Sequence, residues 1–438
     1  MISPETFARY AALRVPRYTS YPTAPQFVPA IDATEYRRWL RQLEPGARTS
    51  VYLHIPFCRQ MCWYCGCHTS VSRRQAPVSR YVDALCREIG LVAAELRGRP
   101  TVGHLHWGGG TPTLLTPKDI GRIDASLRAA FDLDPHVEHA LEVDPRTLTH
   151  EVAAAFASAG VNRASLGVQS FDPKVQAAIN RVQSFETTAA AVATLRSAGI
   201  AALNFDLIYG LPFETVDSCV ATVEQALTLR PERLAVFGYA HVPSFKPHQR
   251  KIDEAALPLG DDRQAQAEAI AEALIAAGYR KIGLDHFALP GDSLAIAARD
   301  GTLRRNFQGY TTDACTNLIG FGASAIGRVP GGFVQNSVRI PDYESRIASG
   351  KLAVTRGCRT SADDLKRGAI IEQLMCAFRA EPGDVTAPQL DRLEADGLVR
   401  RSGAAIEVPD EARPLVRAVA AAFDAYLPTS AAKHVTAV

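Results

Sequence analysis

The sequence predicts an α/β chain: a partial (β/α)6 barrel, preceded by an arm and followed by a mostly helical domain. Three observations carry this. From residue 51 to about 240, short apolar, β-branched runs alternate with segments of helical period. Only six such units occur, too few for an eight-unit barrel. Polar and glycine-rich residues follow the runs, where parallel α/β folds place their sites.

The strands are expected at 51–56 (VYLHIP), 102–107 (VGHLHW), 139–144 (HALEVD), 163–169 (RASLGVQ), 202–210 (ALNFDLIYG) and 233–240 (RLAVFGYA). The first ends in a cysteine cluster and the second in GGGTPT. The third carries Glu142 and Asp144, and the fourth ends in Gln169 and Ser170. The fifth carries Asp206 before YGLP, and the sixth ends in YAHVP. Helical stretches such as SRYVDALCREIGLVAAELRG separate them, which implies a parallel sheet.

Residues 1–50 read as an irregular arm, 51–345 as the barrel with an extension, and 346–438 as the helical domain. The extension holds a helix at about 262–277 and the apolar stretch LIGFGASAIG. That stretch has the wrong glycine spacing for a dinucleotide fingerprint. PQLDRLEADGLVRRSGAAIEV, a helix and short hairpin, resembles part of a winged helix, but no strong basic run supports DNA binding.

The 438 residues are 47% hydrophobic, enough for a full core. With 48 basic and 46 acidic residues the net charge is +2, which gives no electrostatic case for nucleic acid or an anionic membrane. No run of about 18 apolar residues occurs, and the first residues lack the apolar core of a signal peptide. A cytoplasmic protein with reduced thiols is expected.

Four of nine cysteines, Cys58, Cys62, Cys65 and Cys67, fall within FCRQMCWYCGCH. Structural zinc usually takes two separated pairs of ligands. A redox dithiol would use Cys62 and Cys65 and leave the other two unexplained. An iron–sulfur cluster uses thiolates as its usual ligands. The spacing Cys58-x3-Cys62-x2-Cys65 puts three thiolates on one loop and leaves one iron of a four-iron cluster open.

That spacing after a first strand resembles the radical S-adenosylmethionine (SAM) enzymes. With Cys67 added, inside HIPFC and CWYCGC, it resembles their oxygen-independent coproporphyrinogen III oxidase family. RYTSYPT, HLHWGGGTPT, EVDPR, SLGVQSFD, NRVQ, YAHVP, DHFA, RNFQGYTT and LAVTRG extend the likeness over nearly the whole chain. It implies a radical SAM barrel, a [4Fe-4S] cluster on Cys58, Cys62 and Cys65, and two SAM molecules. It implies oxidative decarboxylation of two propionates of coproporphyrinogen III to vinyls, in haem biosynthesis. It further implies a monomer that takes electrons from a low-potential donor the sequence does not identify.

By the same resemblance, Tyr52, Gly109, Gly110, Thr111 and Glu142 contact a first SAM, and Gln169, Arg181 and Asp206 a second. Tyr64, Ala240 and Ile326 match further cofactor positions, and Phe307 and Gln308 lie where the family has residues near the second SAM. Cys67 is not a ligand in the family picture. Arg17 is the candidate for a substrate carboxylate, with the arm closing over the site. A haem chaperone, a radical SAM methyltransferase and a non-catalytic cluster sensor are the alternatives. Cys67 and RNFQGYTT argue against the chaperone.

Overall fold

The computed structural model describes residues 2–427 and 437. By contacts the chain forms two units. One comprises Pro29–Tyr279 with Cys315–Gly357; the other comprises Met1–Val28, Arg280–Ala314 and Cys358–Val438.

The first of these holds the six expected strands: β1 (Arg48–Ile55), β2 (Thr101–Gly109), β3 (Asp132–Val143), β4 (Arg163–Gln169), β5 (Ala202–Tyr209) and β6 (Arg233–Gly238). Each pairs in parallel with the next, with Ile55 opposite Gly109, Trp107 opposite Leu141, Glu142 opposite Ser165 and Gly167 opposite Asp206. The sheet then grows on the other side of β1. β7 (Asn317–Phe321) pairs with β1 in parallel; β8 (Ile326–Val329) and β9 (Gly332–Asn336) follow antiparallel. LIGFGASAIG is therefore the end of β7, a turn and the start of β8. The strands are open rather than closed on themselves, because β1 pairs with β2 and β7 and not with β6.

Helices α1 (Gln75–Ala93), α2 (Pro117–Ala130), α3 (His150–Ser158), α4 (Phe185–Ser197) and α5 (Val216–Thr228) fill the crossovers. Four start on a hydroxyl that caps a free backbone N–H: Thr116, Thr149, Ser184 and Thr215. The hydroxyl caps stop each loop at a defined residue, so the strand ends stay in register with the helices that follow. Helix α6 (Gly260–Ala276) matches the expected 262–277.

Strands β4 and β5 alternate. Ala164, Leu166, Val168, Leu203, Phe205 and Leu207 are buried, whereas Ser165, Asn204 and Asp206 are half-buried between them. Successive side chains of a strand point to opposite faces. One face thus packs apolar and the other is polar, which is why these parallel strands do not read as continuous hydrophobic runs. The polar face satisfies itself laterally: the Ser165 hydroxyl and Asn204 Nδ2 each donate to Asp206 at 2.8 Å.

Helix α1 ties β1 to the turn after β7. The Tyr81 hydroxyl donates to the His54 carbonyl (2.8 Å) and accepts from the Ala323 N–H (2.8 Å). Glu88, 2% exposed, accepts from the Gly322 N–H (2.7 Å), Asn336 Nδ2 (2.6 Å) and the Tyr343 hydroxyl (2.8 Å). Gly322 has φ +98°, and a Cβ there would meet the His54 carbonyl at 2.6 Å, so only glycine fits.

The other unit has its own core, centred on Ile370, Ile371, Leu374 and Met375 of α7 (Ala362–Ala377) with Tyr18, Tyr21, Leu415, Val419 and Phe423. Its helix Leu390–Ala395 and hairpin Arg400–Ser402/Ala405–Glu407 form the winged-helix-like element read from the sequence. Its arginines are matched by acids, as in Arg401 with Asp391 and Glu394.

Burial pushes the Glu88 carboxyl up to about 7 against the three donors that lower it. A carboxyl raised in the folded state stabilises below its unfolded pKa of about 4.3, and that stability is lost as pH rises through about 7. Denaturation of wild type and Glu88→Gln between pH 4.5 and 8 checks this. The wild type is expected to lose about 2–3 kcal/mol relative to the variant across that window.

Candidate cluster and cofactor site

The cysteines lie on the loop that leaves β1. Its base is closed by Phe57–Cys58 pairing with Ser70–Val71. Between them the chain has no ladder of its own, so its polar backbone groups must find partners elsewhere. The Trp63 N–H donates to the Ile179 carbonyl (2.9 Å) and Asn180 Nδ2 to the Met61 carbonyl (2.8 Å). Gln249 Nε2 donates to the Tyr64 carbonyl (2.9 Å), and Lys246 Nζ to that of Cys67 (3.0 Å). His248 Nε2 lies 2.7 Å from the Cys65 carbonyl. The clamps come from the segments after β4 and β6.

Each thiol is faced by donors. Cys58 accepts from the hydroxyls of Thr69 (3.2 Å) and Thr111 (3.3 Å). The buried Cys62 meets Arg146 Nη2 and Arg181 Nη1, each at 3.6 Å. Cys65 accepts from the Cys67 N–H at 3.4 Å. The Cys67 thiol and amide, with His248 and Lys246 nearby, hold the Cys65 thiol below its ordinary range despite burial, while Cys67 itself is raised beside Cys65. Burial raises Cys58 against its two hydroxyl donors.

This donor set suits metal-bound thiolates, which accept charge-assisted hydrogen bonds that a neutral thiol takes only weakly. Among the described residues no three or more His, Cys, Asp or Glu side chains gather so as to hold a single ion. The donors that face Cys58, Cys62 and Cys65 fit the thiolates of an iron–sulfur cluster.

Arg146 is fixed by Asp144 through Nε (2.9 Å) and Nη2 (2.7 Å). Asp144 also lies 3.6 Å from Arg181 Nη2, which donates to the Gly167 carbonyl at 2.6 Å. Two guanidiniums on one carboxylate hold Asp144 below its usual range although burial opposes it.

At the end of β2, a Cβ on Gly110 would lie 2.6 Å from the Phe57 carbonyl and 2.8 Å from its N, and one on Gly108 would lie 2.7 Å from Glu142. Gly109 has φ +113°. Its N–H donates to Glu142 Oε2 (2.9 Å), and Glu142 Oε1 is 3.1 Å from His106 Nε2. Tyr52 stacks on His106 with centroids 5.8 Å apart, and its hydroxyl is 3.0 Å from His54 Nδ1. Burial lowers His54, which favours the neutral ring.

The structure thus bonds Cys58 to Thr111, Cys62 to Arg181 and Cys65 to Cys67, and gathers Tyr52, Gly109 and Glu142 around His106 and His54. Gln249 links the carbonyls of Tyr64 and Ala240 (2.9 and 3.3 Å). Gln169, 8% exposed, takes the left-handed φ of +73° at the end of β4, and Asp206 opposes Gly167 on β5. Ile326 opens β8 after the Gly322 turn. Arg17, Phe307 and Gln308 belong to the other unit, where Phe307 and Gln308 form the tip of the hairpin Arg304–Asn306/Gly309–Thr311.

Sequence reasoning missed Thr69, Arg146, Lys246, His248 and Gln249. Arg146 had a signal, since it stands two residues after Asp144 at a strand's carboxyl end. The three residues after β6 had none, because their partners are carbonyls about 180 residues away.

The chain matches the family model for the radical SAM superfamily over residues 52–226. It is 54% identical to the oxygen-independent coproporphyrinogen III oxidase of Bradyrhizobium diazoefficiens, over 98% of each chain. It is 41% identical to the enzyme so named from Pseudomonas aeruginosa, over 94% of each. The solved structure of the coproporphyrinogen III oxidase of Escherichia coli, described there as a radical SAM enzyme, superposes with a TM-score of 0.89 at 37% identity. The match covers 94% of this chain and 100% of that one.

Gly110→Ala is expected to cost about 1–3 kcal/mol, because its Cβ meets backbone that cannot swing aside. The displaced Phe57–Cys58 segment should also hold less iron. Chemical denaturation and iron content after reconstitution check the two outcomes.

Proposed function

The chain belongs to the oxygen-independent coproporphyrinogen III oxidases of the radical SAM superfamily, and on that premise we propose how its residues divide the work. The enzyme oxidatively decarboxylates two propionates of coproporphyrinogen III to vinyls, giving protoporphyrinogen IX in haem biosynthesis. The observation that carries this is 54% identity over 98% of the chain to an enzyme of that name, joined to three donor-faced thiols on one loop.

In this reading Cys58, Cys62 and Cys65 hold a [4Fe-4S] cluster. When bound, it supplies the electron that cleaves SAM to a 5′-deoxyadenosyl radical. The protein's own task is binding, orientation and exclusion of water. Gly109, Gly110 and Thr111 let the backbone approach the first SAM. Glu142 is held by His106 and the Gly109 N–H, and accepts hydrogen bonds from hydroxyls of that SAM. Tyr52 and the backbone near Tyr64 flank it.

For the second SAM we assign Gln169, Arg181 and Asp206, with Ala240 and Ile326 making backbone or apolar contact. Asp206 is already oriented by Ser165 and Asn204. Arg181 supplies a guanidinium suited to a carboxylate. Phe307 and Gln308 are assigned near the same molecule. Cys67 acts on the cluster loop through Cys65 rather than as a ligand. Arg17 receives a substrate carboxylate.

With the cluster and SAM bound, the chemistry supplied would be removal of a hydrogen from the propionate β-carbon, with loss of CO2 and transfer of the remaining electron to an acceptor. We further assign a monomer in the cytoplasm, fed by a low-potential electron donor and without a nucleic-acid partner. The balance of charge supports the last point, and no described helix is long and apolar enough to cross a membrane.

Anaerobic turnover with SAM, a low-potential reductant and coproporphyrinogen III tests the whole. About two 5′-deoxyadenosines per protoporphyrinogen are expected, one per propionate. Deoxyadenosine without protoporphyrinogen would remove the substrate assignment. Serine at any one of Cys58, Cys62 or Cys65 is expected to abolish cluster assembly rather than weaken it. A variant with full iron content and SAM cleavage would refute that.

A further inference from the structure

Strand β3 runs straight into Asp144-Pro145-Arg146-Thr147. Aspartate is favoured at the first position of a β-turn and proline at the second. The Thr147 N–H accordingly donates to the Asp144 carbonyl (3.0 Å), and the Thr147 hydroxyl meets that of Thr113 at 2.8 Å. The turn folds Arg146 back over its own first residue. Nε and Nη2 bond the two oxygens of Asp144 (2.9 and 2.7 Å), and Nη2 also reaches the Cys62 sulfur at 3.6 Å.

This contact differs from those at the other two thiols. Hydroxyls donate to Cys58 and a backbone amide to Cys65, whereas guanidiniums donate to Cys62. Cys62 is 7% exposed, and the side chains of Asp144 and Arg146 are 11% and 19% exposed, so water screens the contact weakly. The paired bonds to Asp144 hold the planar guanidinium in one orientation. Arg181, the second guanidinium on Cys62, also bonds the Gly167 carbonyl and is assigned to the second SAM. Arg146 has no part in that assignment.

We propose that Arg146, braced by Asp144, is a positioning residue that acts through the Cys62 thiolate to set the potential at which the cluster takes up its electron. This rests on the reading of Cys58, Cys62 and Cys65 as cluster ligands and deepens it. Reduction adds one electron, and with it one negative charge, to a cluster held by thiolates. A cationic N–H donor at a ligating sulfur stabilises the reduced state more than the oxidised one and raises the potential. Arg146 thus eases the reduction that SAM cleavage requires, without touching SAM or substrate.

The experiment uses the full chain, reconstituted anaerobically with iron and sulfide and without SAM, as wild type, Arg146→Lys and Arg146→Gln. The midpoint potential is read by electron paramagnetic resonance through a reductive titration, with iron content and thermal unfolding alongside. Arg146→Gln is expected to make one-electron reduction about tenfold less favourable, a midpoint about 59 mV lower. Arg146→Lys keeps the charge but not the paired bonds, and is expected to fall between the two. Iron content should match that of wild type, so the shift is not one of assembly. Should Arg146→Gln fail to assemble a cluster, Arg146→Lys carries the test, with reduction about threefold less favourable.

An unchanged midpoint in the variants that assemble a cluster would overturn the proposal. So would a lysine variant as low as the glutamine one, because charge would then not be the cause. Loss of iron from both variants would also overturn it, since Arg146 would then serve assembly. A wild type that takes up no cluster would overturn the ligand reading itself, and this proposal with it.

Discussion

The cysteine loop has to satisfy its backbone without a ladder of its own. A loop that must present thiols to a cluster cannot fold into helix or strand, because the thiols would then follow that element's periodicity. Its amides and carbonyls still need partners once buried. Ile179 and Asn180 supply them from one side, and Lys246, His248 and Gln249 from the other. The segments after β4 and β6 are therefore as much a part of the candidate cluster site as the loop after β1. Parallel strands make this possible, since β1 to β6 all end at the same edge of the sheet.

The same constraint explains the polarity of the sheet. One face buries Leu166, Phe205 and Leu203; the other carries groups that bond sideways to one another. Asp206 with Ser165 and Asn204, and Glu142 with His106 and Gly109, are fixed in advance. Preorganised groups reorganise little when a ligand binds, which is where a polar site gains over water.

The sequence made the six barrel strands legible because alternation and strand-end glycines are local signals. The thiols, Glu142, Arg181 and Asp206 were legible for the same reason, through spacing and through resemblance. The extension of the sheet by β7, β8 and β9 was not. β7 follows β6 by nearly eighty residues yet pairs with β1, and no local pattern encodes that.

One of the two units is assembled from three distant stretches of chain. The Tyr18 hydroxyl bonds Asp424 (3.1 Å), the Tyr21 hydroxyl accepts from the Ala425 N–H (2.9 Å), and Arg417 grips residues 15 and 16. These contacts span some four hundred residues of sequence. During synthesis the first 28 residues emerge before anything they pack against in this unit. Those contacts close only when the last stretch has been made, so a ribosome-bound chain can carry every residue that bonds the cysteine loop before this unit can be completed.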